Sequence, residues 1–235
     1  MFTRIFSITL AVLLFLLLFG TSRFPLFFGL STLVLIIAAF VFNYKRLNFS
    51  WPHLLLPITY LTAVAVIAGL ITDSSFRTVF LVAASAVFYV LEIRLGRESH
   101  LLQNLFLLSV FGIYLGLFAM EFYLRVPIYW LLPLVFAVSY LFAIQGFAGF
   151  TLPAKKYFHL LTALITTEAA WGLTFWPTHF FVNALVLFCL FYILWLFAFS
   201  AFFGKLSRAK IYWQLALVAI VLIVTLSTAA WRPLR

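Results

Sequence analysis

The chain has 235 residues, of which 67% are hydrophobic and only 9% charged. A soluble domain carries about a quarter charged residues, so these numbers, with a mean hydropathy of +1.22, exclude a water-soluble globule. The formal charge of +10 would point to nucleic acid in a soluble protein. Here the basic residues stand singly or in pairs between long apolar runs, the pattern that flanks membrane spans, so no nucleic-acid partner is expected.

A transmembrane helix needs about 20 mostly apolar residues. The chain supplies nine such runs, at residues 4–20, 24–43, 52–71, 76–95, 101–121, 127–149, 156–176, 179–203 and 211–231. The alternative spanning structure, a β-barrel, would show segments of about 10 residues with alternating polarity. Continuous stretches such as Ile8 to Phe19 and Leu215 to Leu226 exclude it. The first run has a basic residue before it, Arg4, but no small-residue cleavage pattern after it, only Gly20-Thr21-Ser22-Arg23-Phe24-Pro25. It reads as a retained first helix and not a signal peptide.

The breaks between runs are short and hold turn or interface chemistry: Asn43-Tyr44-Lys45-Arg46, Thr72-Asp73-Ser74-Ser75, Arg125-Val126-Pro127, Pro153-Ala154-Lys155-Lys156 and Trp176-Pro177. None is long enough to separate domains. The expectation is one transmembrane domain, 1–235, with no separate soluble part. The fold class is an all-α polytopic transmembrane helix bundle of about nine helices.

Lys and Arg counts give an orientation. Arg4, Lys45, Arg46, Arg94, Arg97, Lys155, Lys156, Lys205, Arg208 and Lys210 fall on one side, against Arg23, Arg77, Arg125, Arg232 and Arg235 on the other. This predicts a cytoplasmic-membrane protein with the N-terminus inside and the C-terminus outside. Trp51, Tyr123, Tyr129, Trp130, Tyr157, Trp176, Tyr212, Trp213 and Trp231 cluster at the run ends, as an aromatic belt does.

Gly20, Gly96 and Gly172 recur every 76 residues, and Glu92 and Glu168 share that offset. His100-x3-Asn104 matches His179-x3-Asn183. One reading is three units of three helices in alternating orientation, as in the inverted repeats of some transporters. The other is chance self-similarity of a Phe/Leu-rich chain.

Glu168 stands out. It lies about 18 Å from Lys156 and about 12 Å from Trp176 at 1.5 Å per helical residue. A carboxyl group at that depth is costly unless paired, protonated or hydrated, and is a functional candidate by default. Glu168, with Thr167 and Asn183, forms the candidate substrate- or ion-binding set. The expectation is that Glu168 faces the bundle interior or a cavity, with partners among Tyr60, Thr62, Ser85, Ser109, Tyr114, Tyr140, Asn183, Tyr192 and Thr225. The competing reading makes it interhelical glue.

The loop after the fourth run is the densest polar stretch. Its Arg94, Arg97 and His100 are headgroup-binding candidates, because guanidinium groups fork well onto phosphate. The other reading is an ordinary basic loop that fixes topology. Gln145, beside Gly146 and Gly149, marks close helix packing. Pro57 and Pro133 interrupt the third and sixth runs.

Enzyme signatures are missing: no HExxH, CxxC, Walker A or GxSxG. Phe175-x3-His179 and His179-x3-Asn183 resemble pieces of the glutamate-dependent intramembrane CAAX-type proteases. That family also needs a double glutamate followed by arginine, whereas Glu168 is followed by Ala169, Ala170 and Trp171, so membership does not follow. The histidines lie at the ends of different runs with no i, i+4 pair, so neither metal nor cofactor is expected. Cys189 stands alone. The leading function is a small transporter or lipid-handling carrier using Glu168. The alternative is a non-catalytic membrane subunit that assembles with other membrane proteins, and third comes an intramembrane enzyme. The expected partners are the bilayer, its anionic headgroups and membrane proteins.

Overall fold

The computed structural model describes residues 2–46, 51–95, 100–147, 155–203, 208–229 and 231. Among them every regular element is an α-helix: α1 Phe2–Thr21, α2 Pro25–Arg46, α3 Trp51–Leu70, α4 Ser74–Arg94, α5 His100–Leu124, α6 Ile128–Gly146, α7 Lys155–Thr174, α8 Phe180–Phe203 and α9 Arg208–Thr228. Each falls on one of the nine apolar runs. In hydrocarbon each backbone N–H and C=O must find a partner within its own segment, and only the helix provides that locally.

Seven of the nine are long and apolar enough to cross a membrane. α3 is apolar over Leu54–Leu70, and in α7 Lys155, Lys156, His159 and Glu168 dilute the hydrophobic residues. This is the architecture of a multi-pass membrane protein.

Local chemistry sets the ends. Asp73 accepts a 2.7 Å hydrogen bond from the Phe76 N–H and caps α4, satisfying one of the amides a helix start leaves unpaired. Pro25 opens α2 and Pro127 precedes α6, positions where the missing N–H costs nothing. Pro57 and Pro133 sit inside α3 and α6. Arg125 turns the chain between α5 and α6 with φ of +50°.

Packing divides the chain into two compact units, 1–113 and 114–235, with the boundary inside α5. That boundary does not coincide with a division into three-helix units. Gly96, one of the repeat glycines, lies outside the described residues.

In the first unit α1 packs on α2 and α4, and α3 packs on α2 and α4, so four helices close a ring. Arg77 ties its corners. Its guanidinium donates to Ile71 O through Nε at 2.9 Å and also through Nη2, and to Ser22 O through Nη1 at 3.5 Å. Because Ser22 follows α1 and Arg77 begins α4, those two helices run antiparallel. Gly112 of α5 lets α3 come close: a Cβ there would lie 2.8 Å from the Ala63 Cβ. Small residues serve this purpose in membrane interfaces, where close backbone approach supplies the dispersion contact that drives association.

In the second unit α6, α7, α8 and α9 pack in sequence. Its core is aromatic. Tyr114, Phe142 and Phe191 are fully buried and meet edge to face, with ring centroids 5.7–6.2 Å apart. α9 touches α8, and most of its surface is open. Tyr123, Tyr129, Trp130, Tyr157, Tyr212 and Trp213 are exposed near helix ends, where an aromatic belt belongs.

Candidate functional site

The site expected from sequence centres on α7, and its geometry follows from helical spacing. His159, Thr162, Ala163, Thr166, Ala170 and Leu173 are buried. They recur at three- and four-residue intervals and form one face. Four of the six, Thr162, Ala163, Thr166 and Ala170, are small or hydroxylic, so α6 and α8 can pack on them. The threonines satisfy themselves locally. Thr166 Oγ1 donates to Thr162 O at 2.8 Å and Ala163 O at 3.0 Å, and Thr167 Oγ1 donates to Ala163 O at 2.7 Å.

Glu168 stands two positions beyond Thr166, about 200° around the helix, and so points the opposite way. Its neighbours on that face are Leu160, Leu161, Leu164, Trp171 and Phe175, all exposed. The expectation that Glu168 faces the interior is therefore corrected. The inward face of α7 was already filled by hydroxyls and alanines, and Glu168 is out of phase with them. It makes no hydrogen bond or ion pair among the described residues. A Cβ at Gly172, one turn on, would meet nothing within 4 Å, so the glycine opens this face.

The rest of the predicted set does not gather around Glu168. Asn183, buried in the first turn of α8, donates from Nδ2 to Leu173 O at 3.2 Å and accepts from the Thr178 hydroxyl at 2.6 Å. It braces the α7–α8 corner. Several of the hydroxyls expected as partners are engaged elsewhere. Tyr60 donates to Ala84 O at 2.9 Å, Ser109 to Leu105 O at 2.7 Å, and Tyr114 pairs with Ser139 at 2.9 Å.

Of the headgroup candidates, Arg94 is exposed at the C-terminal end of α4. Arg97 lies outside the described residues. His100 begins α5, with its side chain likewise outside the description. Gln145 is half-buried near the end of α6, and its Oε1 finds no partner among the described residues. The adjacent Gly146 carbonyl accepts from the Trp195 indole of α8 at 3.4 Å. Gly149 lies outside the described residues.

A second carboxyl group was missed. Glu92, noted from sequence only for its 76-residue offset from Glu168, lies in the last turn of α4 and is fully buried. Asn43, equally buried near the end of α2, donates to its Oε1 from Nδ2 at 2.9 Å. The signal was present: Leu81, Ala84, Ser85, Phe88, Leu91 and Glu92 keep the inward period of α4 to its last turn.

His159 also went unmarked. It is buried, stacks on Phe147 at 5.9 Å and meets Tyr140 edge-on at 6.1 Å. Its Nε2 has no partner among the described residues. Those residues contain no cluster of three or more His, Cys, Asp or Glu that could hold a metal ion.

Residues 42–229 match the family of proteins of unknown function DUF5656. The chain belongs to this family. The matched DUF5656 region contains Asn43, Glu92 and Glu168 and leaves α1 and most of α2 outside it. No curated protein and no solved structure matches the chain. Both carboxyl groups, the buried pair and the open one, are thus carried on the part of the chain that defines the family.

Proposed function

We propose that this protein is a non-catalytic subunit of a membrane assembly, and that the outward face of α7 is where another membrane protein docks. The observation that carries this reading is Glu168, open on a face otherwise made of Leu160, Leu164, Trp171 and Phe175. A carboxyl group part-way along a membrane helix is costly in contact with acyl chains. A partner helix with a hydroxyl, amide or cationic donor at that depth removes the cost and gains a directed contact. The open surface at Gly172 allows that helix to approach closely. The transporter reading needed Glu168 within a cavity, and its outward position gives that reading no support. The basic-residue asymmetry goes with an N-terminus inside and a C-terminus outside the cytoplasmic membrane.

A photo-crosslinking residue in place of Leu164 tests the proposal in native membranes. The expected product is a heteromeric adduct whose crosslinked peptide is a transmembrane helix with a polar residue level with Glu168. Glu168→Leu should abolish it. An adduct of two copies of the chain would reassign the occupant. A chain that runs alone, or an adduct indifferent to Glu168→Leu, would sink the subunit reading.

A further inference from the structure

The first unit carries a different surface feature, independent of α7. A groove of about 430 Å³ runs between α1 and α4. Its walls are Ile8, Val12, Phe15, Leu16, Val82 and Tyr89, and its floor is made by small side chains, Ala11, Ser85 and Ala86. Ala11 and Ser85 are buried, and Ile8, Val12, Leu16 and Val82 stand up beside them, each about half exposed. The groove exists because α1 and α4 both present small residues where their outer faces meet.

Its depth and polarity suit an acyl chain. Ile8 to Leu16 spans about 12 Å along the helix axis, and the lining is almost wholly apolar. The single buried polar atom in the floor, Ser85 Oγ, has no partner among the described residues.

One mouth of the groove is positively charged. Arg4 precedes Ile8 by four residues and so lies on the same face of α1. It is exposed in the first turn of that helix, where the helix dipole also favours an anion. The antiparallel arrangement set by Arg77 and Ser22 brings the C-terminal end of α4 to that same end, where Arg94, five residues beyond Tyr89, is turned about 140° around the helix from it. Neither arginine makes an ion pair among the described residues.

We infer that this groove is a binding site for an anionic phospholipid: one acyl chain lies between α1 and α4, and the phosphate is held by Arg4. An acyl chain alone would explain the apolar walls but not the guanidinium group of Arg4 at one end, which has no ion-pair partner among the described residues. The charge selects an anionic headgroup over a zwitterionic one. It does so locally, because a basic residue near the membrane surface attracts anionic lipid by about fivefold.

The full chain, reconstituted in nanodiscs of mixed phosphatidylglycerol and phosphatidylcholine, then extracted and analysed by native mass spectrometry, tests this. The wild type should retain one phosphatidylglycerol in preference to phosphatidylcholine by about fivefold or more. Arg4→Gln should bring the preference close to even. Arg23→Gln, at the other end of α1, should leave it unchanged. Ala86→Phe, placed at an exposed position of the lining, should expel the retained lipid of either headgroup without shifting the thermal unfolding midpoint. Equal retention of the two lipids by the wild type, a preference that survives Arg4→Gln or falls equally with Arg23→Gln, or lipid that persists in a normally folded Ala86→Phe protein would each overturn the site. If Ala86→Phe does not fold, Val82→Trp at the groove's exposed wall serves in its place, with the same reading.

Discussion

Glu92 and Glu168 are 76 residues apart, each four residues before a glycine, and the fold treats them in opposite ways. Glu92 is fully buried and accepts from Asn43 of a neighbouring helix. Glu168 is exposed on α7 among leucines and aromatics. The difference is one of helical phase. Glu92 falls in step with Leu81, Ala84 and Phe88, and so turns inward. Glu168 falls out of step with Thr162, Thr166 and Ala170, and so turns outward. Depth along a helix sets how costly a carboxyl group is. Its angle around the helix sets whether the same chain can relieve that cost. One carboxyl group therefore belongs to the fold and the other to whatever covers α7.

The sharpest way to break this comparison is to remove the inward group. Glu92→Ala should cost about 2–3 kcal/mol of stability, because it leaves the buried Asn43 amide without its acceptor. Reversible unfolding in mixed detergent would read it. Combining it with Asn43→Ala should recover part of the loss, and strictly additive effects would show that the two side chains are not coupled.

A steric position in the same unit gives a smaller effect without any polar group. Gly112→Val should cost about 1–3 kcal/mol by forcing α5 away from Ala63. The paired change Ala63→Gly should restore part of it in the same assay, and a neutral Gly112→Val would show that α3 and α5 are not in close contact there.

In the second unit, Tyr114→Phe removes only the hydroxyl that pairs with Ser139. Interhelical hydrogen bonds in membranes average about 0.6 kcal/mol, so a loss near that size is expected. A loss several times larger would mean that this contact, and not Glu92, dominates the polar core.

The smallest effect is expected at the outward carboxyl group. Glu168→Gln should shift the stability of the isolated chain by no more than about 0.5 kcal/mol, as surface substitutions do. A thermal scan of the detergent-purified chain would check it. A drop comparable to that of Glu92→Ala would erase the distinction between the two groups.

How much was legible beforehand follows the same division. The helices were readable because hydrocarbon leaves the backbone no other local solution, and each predicted run is a helix within a few residues. Asn43 and Glu92 were passed over because each stands at the end of its run beside basic residues, although the inward period of α4 continues through Glu92. Gly112 gave no signal, since which of ten glycines meets a neighbouring helix depends on where that helix lies. The Glu168, Thr167 and Asn183 set was assembled on depth alone, and depth does not fix direction.

The sequence by itself determined the solvent, the helical class and the nine segments, because composition and run length act through transfer energies that need no neighbours. The tertiary structure alone decided which carboxyl group turns inward onto Asn43 and which is left open. Hydrogen bonds and packing depend on the angle each helix presents to another, and that angle is set only when the helices meet.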